Sequence, residues 1–488
     1  MPSKHNVEAD AASVEGNILR WTSGGDEGQV ELDHIVCVVS SPNTALQAQG
    51  QGPGPGYRIL FLESKEEKAQ DQENAPMHLG KIDISTPLPT ALTPFLTQIP
   101  THLKSQQSAN AEAEPIQVVI STRSGTGTAQ TVFKDLVQPL LDGLGVNYQS
   151  HETQSAQSII SLSETQFLPQ ASAGVEQTII LLSGDGGLID ILDVFYRNKY
   201  DSTNGVQRMA APNIALIPCG TGNAMASSIG LRSGPASSLK SLLKGKPVSL
   251  PVFAAKVSPG SMIVTEEGNG RASIPIAPTD SDTSDACDVS ASQQVMYGAV
   301  VASWGLHAAL VADSDTTAYR KFGSERFKMA AQELLYPSDG SESHRFRGQI
   351  TITTRTKDPS ESTDGIQQTI LSEQEHMYVL ATLVPRLEKE FLISPDSEAL
   401  GGKMQFLRFG PMAPEDAMRL MTLAYQGGQH VREETVMYQE VVRVRIDFHE
   451  DEERWRRLCI DGKIVAVEKD GWMELCMEER ELLNVIKL

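Results

Sequence analysis

The sequence predicts a doubly wound α/β domain followed by a mostly antiparallel β-sandwich, and three observations carry that prediction. A strand-like apolar run, a glycine loop and a helical stretch recur as a unit three times between residues 116 and 229. From Pro247 onward the apolar runs are short and rich in β-branched residues, and one alternates Val442, Val444, Ile446, Phe448 against Arg443, Arg445, Asp447. Polar tracts set between these runs explain why a chain of 488 residues is only 40% hydrophobic.

Taken in order, residues 1–114 hold strand-like Ile35 to Val39 and Tyr57 to Leu62 around a Gly/Pro/Gln tract at Gly50 to Gly56, and predict a β-rich extension with disordered loops. The α/β domain is placed at 115–246. Its first unit is Ile116 to Ile120, a loop with Gly125 and Gly127, and a helix whose Phe133, Leu136, Val137, Leu140 and Leu141 recur at helical spacing until Gly143 and Gly145 end it. The second is Thr178 to Leu182, the loop Ser183-Gly184-Asp185-Gly186-Gly187, and a helix from Leu188 to Tyr196. The third is Ile214 to Pro218, Cys219-Gly220-Thr221-Gly222-Asn223, and Ala224 to Ile229. Such units gather their loops at the carboxyl ends of parallel strands, where ligands of open α/β sheets bind. The β-rich domain is placed at 247–488, with strands at Pro247 to Val257, Val295 to Ser303, Phe346 to Arg355, Met377 to Leu383, Lys403 to Phe409 and Val441 to Phe448. Segments 258–294 and 357–373, rich in Ser, Asp, Thr and Gly, read as disordered insertions.

Composition excludes several classes. A net charge of -21 has the wrong sign for a protein that neutralises nucleic-acid phosphates. The five cysteines are scattered without a CxxC pair, so neither a disulfide framework nor a zinc site is indicated, and a reducing compartment fits. Met1 to His5 does not begin a secretory signal, which makes a cytoplasmic protein the expectation. The uncharged run Val295 to Leu310 carries Ser303, Gly305 and His307, and reads as buried strand rather than a membrane span.

Glycine loops between strand and helix bring backbone N–H groups close to a ligand at a helix N-terminus, a suitable seat for phosphate. No GxxxxGK[ST] occurs, so a P-loop nucleotidase is disfavoured. Ser124-Gly125-Thr126-Gly127 is compatible with a plain tight turn, and Thr221 and Asn223 with cap and turn roles. Asp185, flanked by glycines at a strand end, is either a ligand-facing carboxylate or a helix cap. Asp190 lies inside the following helix, where a solvated carboxylate is the simple alternative.

Together the loops resemble the diacylglycerol kinase catalytic domain superfamily, which shares the fold of the NAD kinases, and within it the sphingosine and long-chain-base kinases. The resemblance rests on Ser183 to Gly187, Gly220-Thr221-Gly222-Asn223 and Ser124 to Gly127. It continues through Val301 to Leu306, Tyr319 to Phe327 and Ile460-Asp461-Gly462-Lys463, and so spans Ile116 to Leu475 with breaks at the two polar segments. It implies an ATP- and Mg²⁺-dependent lipid kinase. Gly125, Gly127, Thr153, Gly184, Gly186, Gly220, Thr221, Gly222, Asn223 and Asp461 would line the nucleotide site, and Arg320 and Arg326 would meet the phosphates. Asp185 would be the general base and Asp190 the acid near the metal. Asp313 would receive a sphingoid head group, with Asp315 competing because the interval from Trp304 to Arg320 is two residues longer here. A solvated amphipathic helix is the simple alternative for that segment.

Three departures accompany the resemblance: in the first loop Ser121-Thr122 replaces an Asn-Pro and Thr126 or Thr128 a lysine, Gly187 replaces a Thr or Leu, and Lys463 replaces a glutamate. Asp461-Gly462 also suits a hairpin turn. The reading is a kinase that transfers the γ-phosphate of ATP to the primary hydroxyl of a sphingoid base, touching membranes transiently because the net charge repels an anionic leaflet. Diacylglycerol or ceramide as substrate, an inactive lipid- or nucleotide-binding homologue, and phosphorylation of a soluble dinucleotide or sugar are the alternatives.

Overall fold

The computed structural model describes residues 6–42, 55–64, 77–84, 87–104, 116–198, 209–232, 234–276, 293–323, 325–356 and 365–488. The N-terminal part is a module of two small sheets. Strands β1 (Asn6–Ala9), β5 (Ile35–Pro42), β6 (Pro55–Ser64) and β7 (Met77–Ile84) pair in the order β1-β7-β6-β5, and β2 (Ala11–Glu15), β3 (Ile18–Ser23) and β4 (Asp26–Glu31) form a meander packed across them. The sequence predicts only the cores of β5 and β6; the meander is missed because its faces alternate polar and apolar with few large side chains beyond Leu19, Trp21 and Val30. The Gly50 to Gly56 loop lies outside the described residues as far as position 54, and Pro55 and Gly56 already belong to β6.

The α/β domain centres on β8 (Ile116–Ile120), β9 (Gln149–Glu152), β10 (Thr178–Ser183) and β11 (Asn213–Pro218), all parallel, in the order β11-β10-β8-β9. Alternation along its strands shows why both faces are covered. Val119, Ile179 and Leu181 face α2 (158–172) and α3 (Asp185–Arg197), whereas Val118, Ile120, Ile180 and Leu182 face α1 (129–144) and α5 (Pro235–Lys244). Helix α1 ends on Gly145, whose φ of 68° makes it a left-handed cap; Gly143, predicted to share that role, is inside the helix, where a Cβ would come within 3.0 Å of Leu60. Through this contact, and through Arg58, which donates to the Gly143 carbonyl and pairs with Asp83 at 2.7 Å, the N-terminal module is docked on α1.

The predicted boundary at 246 needs correction. Strand β12 (Lys246–Ser249) and β28 (Asn484–Lys487) complete the α/β sheet, β28 running parallel to β11 and antiparallel to β12. A boundary drawn along the chain cannot register a strand that returns after the whole β-domain.

That β-domain is a sandwich. One sheet runs β16-β13-β27-β24-β18-β19, with β13 (Phe253–Val257), β16 (Gln294–Gly298), β18 (Phe346–Thr356), β19 (Gly365–Ile370), β24 (Arg443–Phe448) and β27 (Trp472–Met477). The other runs β15-β14-β26-β25-β17-β21-β22-β23, with β14 (Met262–Thr265), β15 (Gly270–Ser273), β17 (Val301–Gly305), β21 (Tyr378–Thr382), β22 (Met404–Phe409), β23 (Val436–Val441), β25 (Arg457–Ile460) and β26 (Lys463–Ala466). Their inner faces interdigitate, Ile350, Val444 and Leu475 from one meeting Trp304, Phe406 and Val465 from the other. Trp304 is fully buried between Phe346 and Phe448, and its indole N–H donates to the Trp455 carbonyl.

Two predicted insertions are partly ordered. Residues 262–273 form the β14–β15 hairpin paired to β26, and 365–370 form β19 on the edge of β18; only 277–292 and 357–364 lie outside the described residues. Strands β15 and β19 face solvent and have a composition that does not distinguish strand from loop, whereas β14, Met262-Ile263-Val264-Thr265, is a half-buried apolar run set inside a polar tract. The predicted strands Pro247 to Val257 and Val295 to Ser303 are each two strands in two sheets, broken at 250–252 and 299–300. Among the described residues no helix is long and apolar enough to cross a membrane.

Candidate active site

Three glycine loops converge at the carboxyl ends of β8, β10 and β11. Ser124 Oγ accepts from the Gly184 N–H at 2.8 Å, and the Cys219 N–H donates to the Ser183 carbonyl at 3.0 Å, so each loop is tied to its neighbour. The loops touch through bare backbone: a Cβ on Gly220 would lie 2.5 Å from the Gly184 Cα, and one on Gly125 2.5 Å from the Cys219 carbonyl oxygen. Side chains there would separate the loops, which is a packing reason for glycine independent of any ligand. Asn223 takes a left-handed φ of 49° and holds the third loop by accepting from the Gly220 N–H and donating to the Gly220 carbonyl.

Asp185 opens α3 and is half-buried. Its carboxylate accepts from the N–H groups of Ala224 at 2.6 Å and Met225 at 3.0 Å, the first residues of α4 (Ala224–Ser228). The capping reading holds, except that the helix it caps is the third unit's and not its own. Burial pushes its carboxyl up from the ordinary range, and the amide bonds oppose that rise.

Opposite these loops stands the hairpin turn between β25 and β26. Asp461 and Gly462 both have positive φ, 46° and 84°, as a tight two-residue hairpin requires. The buried Asp461 carboxylate collects the N–H groups of Ala299, Val300 and Val301, at 2.6 Å for the first and last, and so breaks the run that sequence reads as one strand into β16 and β17. Burial pushes this carboxyl up to about 7, the charge of Asp185 adds to the rise, and the three amides resist it.

Between the two domains lies a cleft of about 690 Å³. One part is walled by Ser124, Gly125, Gly184, Asp185, Gly186 and Gly220 to Asn223, with Asp461, Gly462 and Lys463 facing them from the β-domain. The rest is lined by α6 (Leu306–Ser314), α8 (Glu325–Leu335) and α9 (Pro414–Tyr425), with Leu310, Val311, Phe327, Met418, Met421 and Tyr425 among the lining side chains. Sequence reading missed α9, although Pro414 at its first position followed by Glu415 and Asp416 is a helix-start signal.

Several predicted site residues are elsewhere. Thr153 is buried beneath the first loop, where its hydroxyl accepts from the Thr122 N–H at 3.1 Å and its carbonyl accepts from the Thr122 hydroxyl at 2.8 Å. It supports the loop rather than walling the cleft, using the N–H that a proline at 122 would lack. Gly127, with φ of 77°, is a turn residue off the cleft. Asp190 is also off it: Lys463 Nζ lies 3.3 Å from its carboxylate and 2.5 Å from that of buried Asp193, which also pairs with Arg197. The lysine that replaces a glutamate thus bridges the β-domain to α3. Asp313 is turned away. On α6 the cleft side is given by His307, Leu310 and Val311, and Asp313 falls on a different face, paired with Arg454 at 2.8 Å and Arg457 at 3.4 Å. Asp315 does line the cleft, paired with Arg326 at 3.3 Å. Arg320 closes the short helix α7 (Thr317–Arg320), and its side chain lies outside the described residues.

Among the described residues no group of three or more His, Cys, Asp or Glu is gathered to hold a metal ion alone. Mg²⁺ that arrives with nucleotide phosphates would need only one or two protein carboxylates; Asp185 and Asp461 are on the cleft, and Asp190 lies off it against Lys463.

Residues 115–255 match the diacylglycerol kinase catalytic domain. Sphingosine kinase B of Dictyostelium discoideum is 27% identical over 146 residues, covering 30% of this chain and 18% of that protein. Sphingosine kinase 1 of Arabidopsis thaliana is 23% identical over 257 residues, covering 50% of this chain and 44% of that protein. The chain therefore matches less than half the length of either relative. The crystal structure of a diacylglycerol kinase from Bacillus anthracis str. Sterne overlays 78% of this chain and 98% of its own at 12% identity and a TM-score of 0.43. The chain thus carries, over residues 115–255 and including all three glycine loops, a match to the diacylglycerol kinase catalytic domain, and it is similar to sphingosine kinases.

Proposed function

We propose that the chain is an ATP- and Mg²⁺-dependent lipid kinase that phosphorylates the primary hydroxyl of a sphingoid long-chain base. The observation that carries this reading is the continuity of the cleft, in which glycine-loop backbone passes directly into an apolar lining of Leu, Val, Phe and Met side chains. Backbone amides of the loops hold the phosphates, and Mg²⁺ bound with the nucleotide supplies neutralisation of their charge. Asp185, fixed by two amides and made more basic by burial, accepts the proton of the attacking hydroxyl. Asp315 receives the ammonium of the base, exchanging its contact with Arg326, which is thereby released toward phosphate. The protein meets its lipid at a membrane surface transiently and returns to the cytoplasm, in keeping with a net charge of -21.

A panel of sphinganine, diacylglycerol and ceramide with radiolabelled ATP tests this. Sphinganine is expected to be the best acceptor. Asp315→Asn is expected to raise its KM about tenfold, the scale of one charge-assisted contact, whereas Asp313→Asn changes it little. A preference for diacylglycerol or ceramide would reassign the substrate, and transfer to none of the three would leave a binding homologue.

A further inference from the structure

In the apolar part of the cleft the buried side chain of His307 has a ring nitrogen with no partner among the described residues. His307 sits in the first turn of α6, directly after Gly305, whose φ of 83° and tight approach to the Met377 carbonyl fix how the helix leaves β17. The residue is 9% exposed, and what is exposed lines the cleft beside Leu310 and Val311. Its Nδ1 is taken by Ser303 Oγ at 2.6 Å, and its ring stands edge-on to Tyr378, itself stacked on Phe409. Among the described residues nothing bonds Nε2. The imidazole is therefore clamped on one edge and on one side and presents its remaining nitrogen to whatever fills the cleft.

Burial holds the ring neutral, with its pKa pushed down to about 4. A neutral imidazole leaves two arrangements. If the Ser303 hydroxyl donates to Nδ1, then Nε2–H is a donor; if Nδ1–H donates to Ser303, Nε2 is an acceptor. A hydroxyl satisfies either arrangement, an ammonium only the second, and an alkyl chain neither. The position suits a group close to the one being phosphorylated, because Ser303 is two residues, roughly 7 Å, along β17 from Val301, whose N–H is held by Asp461.

We propose that His307 is a specificity-determining residue that hydrogen-bonds a second, unphosphorylated hydroxyl of the acceptor lipid. This rests on the lipid-kinase reading and narrows it to acceptors with a secondary hydroxyl beside the primary one. A site built around a polar partner rejects the analogue that lacks it, since the buried nitrogen is then left unpaired.

The test compares sphinganine with 3-deoxysphinganine, which differ only in that hydroxyl, in wild type, His307→Asn and His307→Gln. Asparagine can keep a partner for Ser303 but does not reach the Nε2 position, and glutamine places a polar atom there. Wild type is expected to favour sphinganine in kcat/KM by about tenfold, His307→Asn to lose that preference with KM for ATP unchanged, and His307→Gln to keep part of it. A preference undiminished in His307→Asn, or equal losses on both lipids, would overturn the assignment. If wild type phosphorylates neither lipid, the kinase reading fails and the decision passes to lipid-induced shifts in Tm. A larger shift with sphinganine that His307→Asn equalises supports the hydroxyl contact. Equal shifts in wild type, or none, overturn it.

Discussion

The two walls of the cleft are made of different materials. On the α/β side the wall is backbone: Gly125, Gly184 and Gly220 lie against one another, and the side chains present, Ser124, Asn223 and Asp185, are bonded to amides of the loops or of α4. On the β side the wall is side chain: Leu310, Phe327, Met418, Met421 and Tyr425 occupy volume, and Asp315 is paired with Arg326. Phosphate is a small, fixed anion best met by N–H groups at close approach, which leaves no room for a Cβ; an alkyl chain needs only apolar volume, which many residue combinations supply. The first wall is intolerant of substitution, and the second can be repacked.

Asp185→Asn is the strongest test of the backbone wall. It retains one acceptor for the Ala224 and Met225 amides but no base, so kcat should fall by roughly 10²–10⁴ with Tm nearly unchanged. Retention of more than about a tenth of kcat would show that another group takes the proton.

Paired glycine substitutions sharpen the comparison. Gly220→Ala, which sets a Cβ 2.5 Å from Gly184, is expected to cost about 1–3 kcal/mol in denaturant unfolding. Gly186→Ala meets nothing within 4 Å and sits in the first turn of α3. It should be neutral or up to about 1 kcal/mol more stable, while weakening nucleotide binding because it faces the cleft. Equal stability losses in both variants would refute the Gly184–Gly220 contact as the reason.

The smallest effect expected is one of pH. Asp461 is raised in the folded protein to about 7, above its unfolded value, so the folded state holds the proton more tightly. The group's contribution to stability is present below the ordinary carboxylate range and is lost as pH rises to about 7. Melting curves of wild type and Asp461→Asn should therefore differ most in favour of wild type near the acid end, and that advantage should shrink toward neutrality. An advantage that grows with pH would mean that the three amides, not burial, set the charge state.

The same division decides what sequence could show. Strands β8, β10 and β11 and their loops are legible because an apolar run, a glycine pair and a helical period coincide within a few residues, and the geometry that follows is local. The break at Ala299 and Val300 is not legible, since it is made by a carboxylate more than 150 positions away in the chain. Asp193 and Lys463 illustrate the same limit: each reads as an ordinary charged residue until the fold sets them 2.5 Å apart. His307 looks like an interruption of an apolar run, and only the Ser303 contact and the cleft give it direction. Strands β15 and β19 fail for a simpler reason, because exposed strands have the composition of loops, and β14 is only four apolar residues inside a polar tract.

Strand β28 has a consequence for how the molecule comes into being. The sheet that carries the glycine loops has a place between β12 and β11 that is filled only by Asn484–Lys487, where the buried Val485 and Ile486 join the cores on its two faces. The sheet whose other strands are encoded before residue 250 is therefore closed only by a strand translated after the whole sandwich. Until the last strand threads home, the nascent chain would present an unpaired parallel edge to its surroundings, a hazard that chaperones are suited to cover.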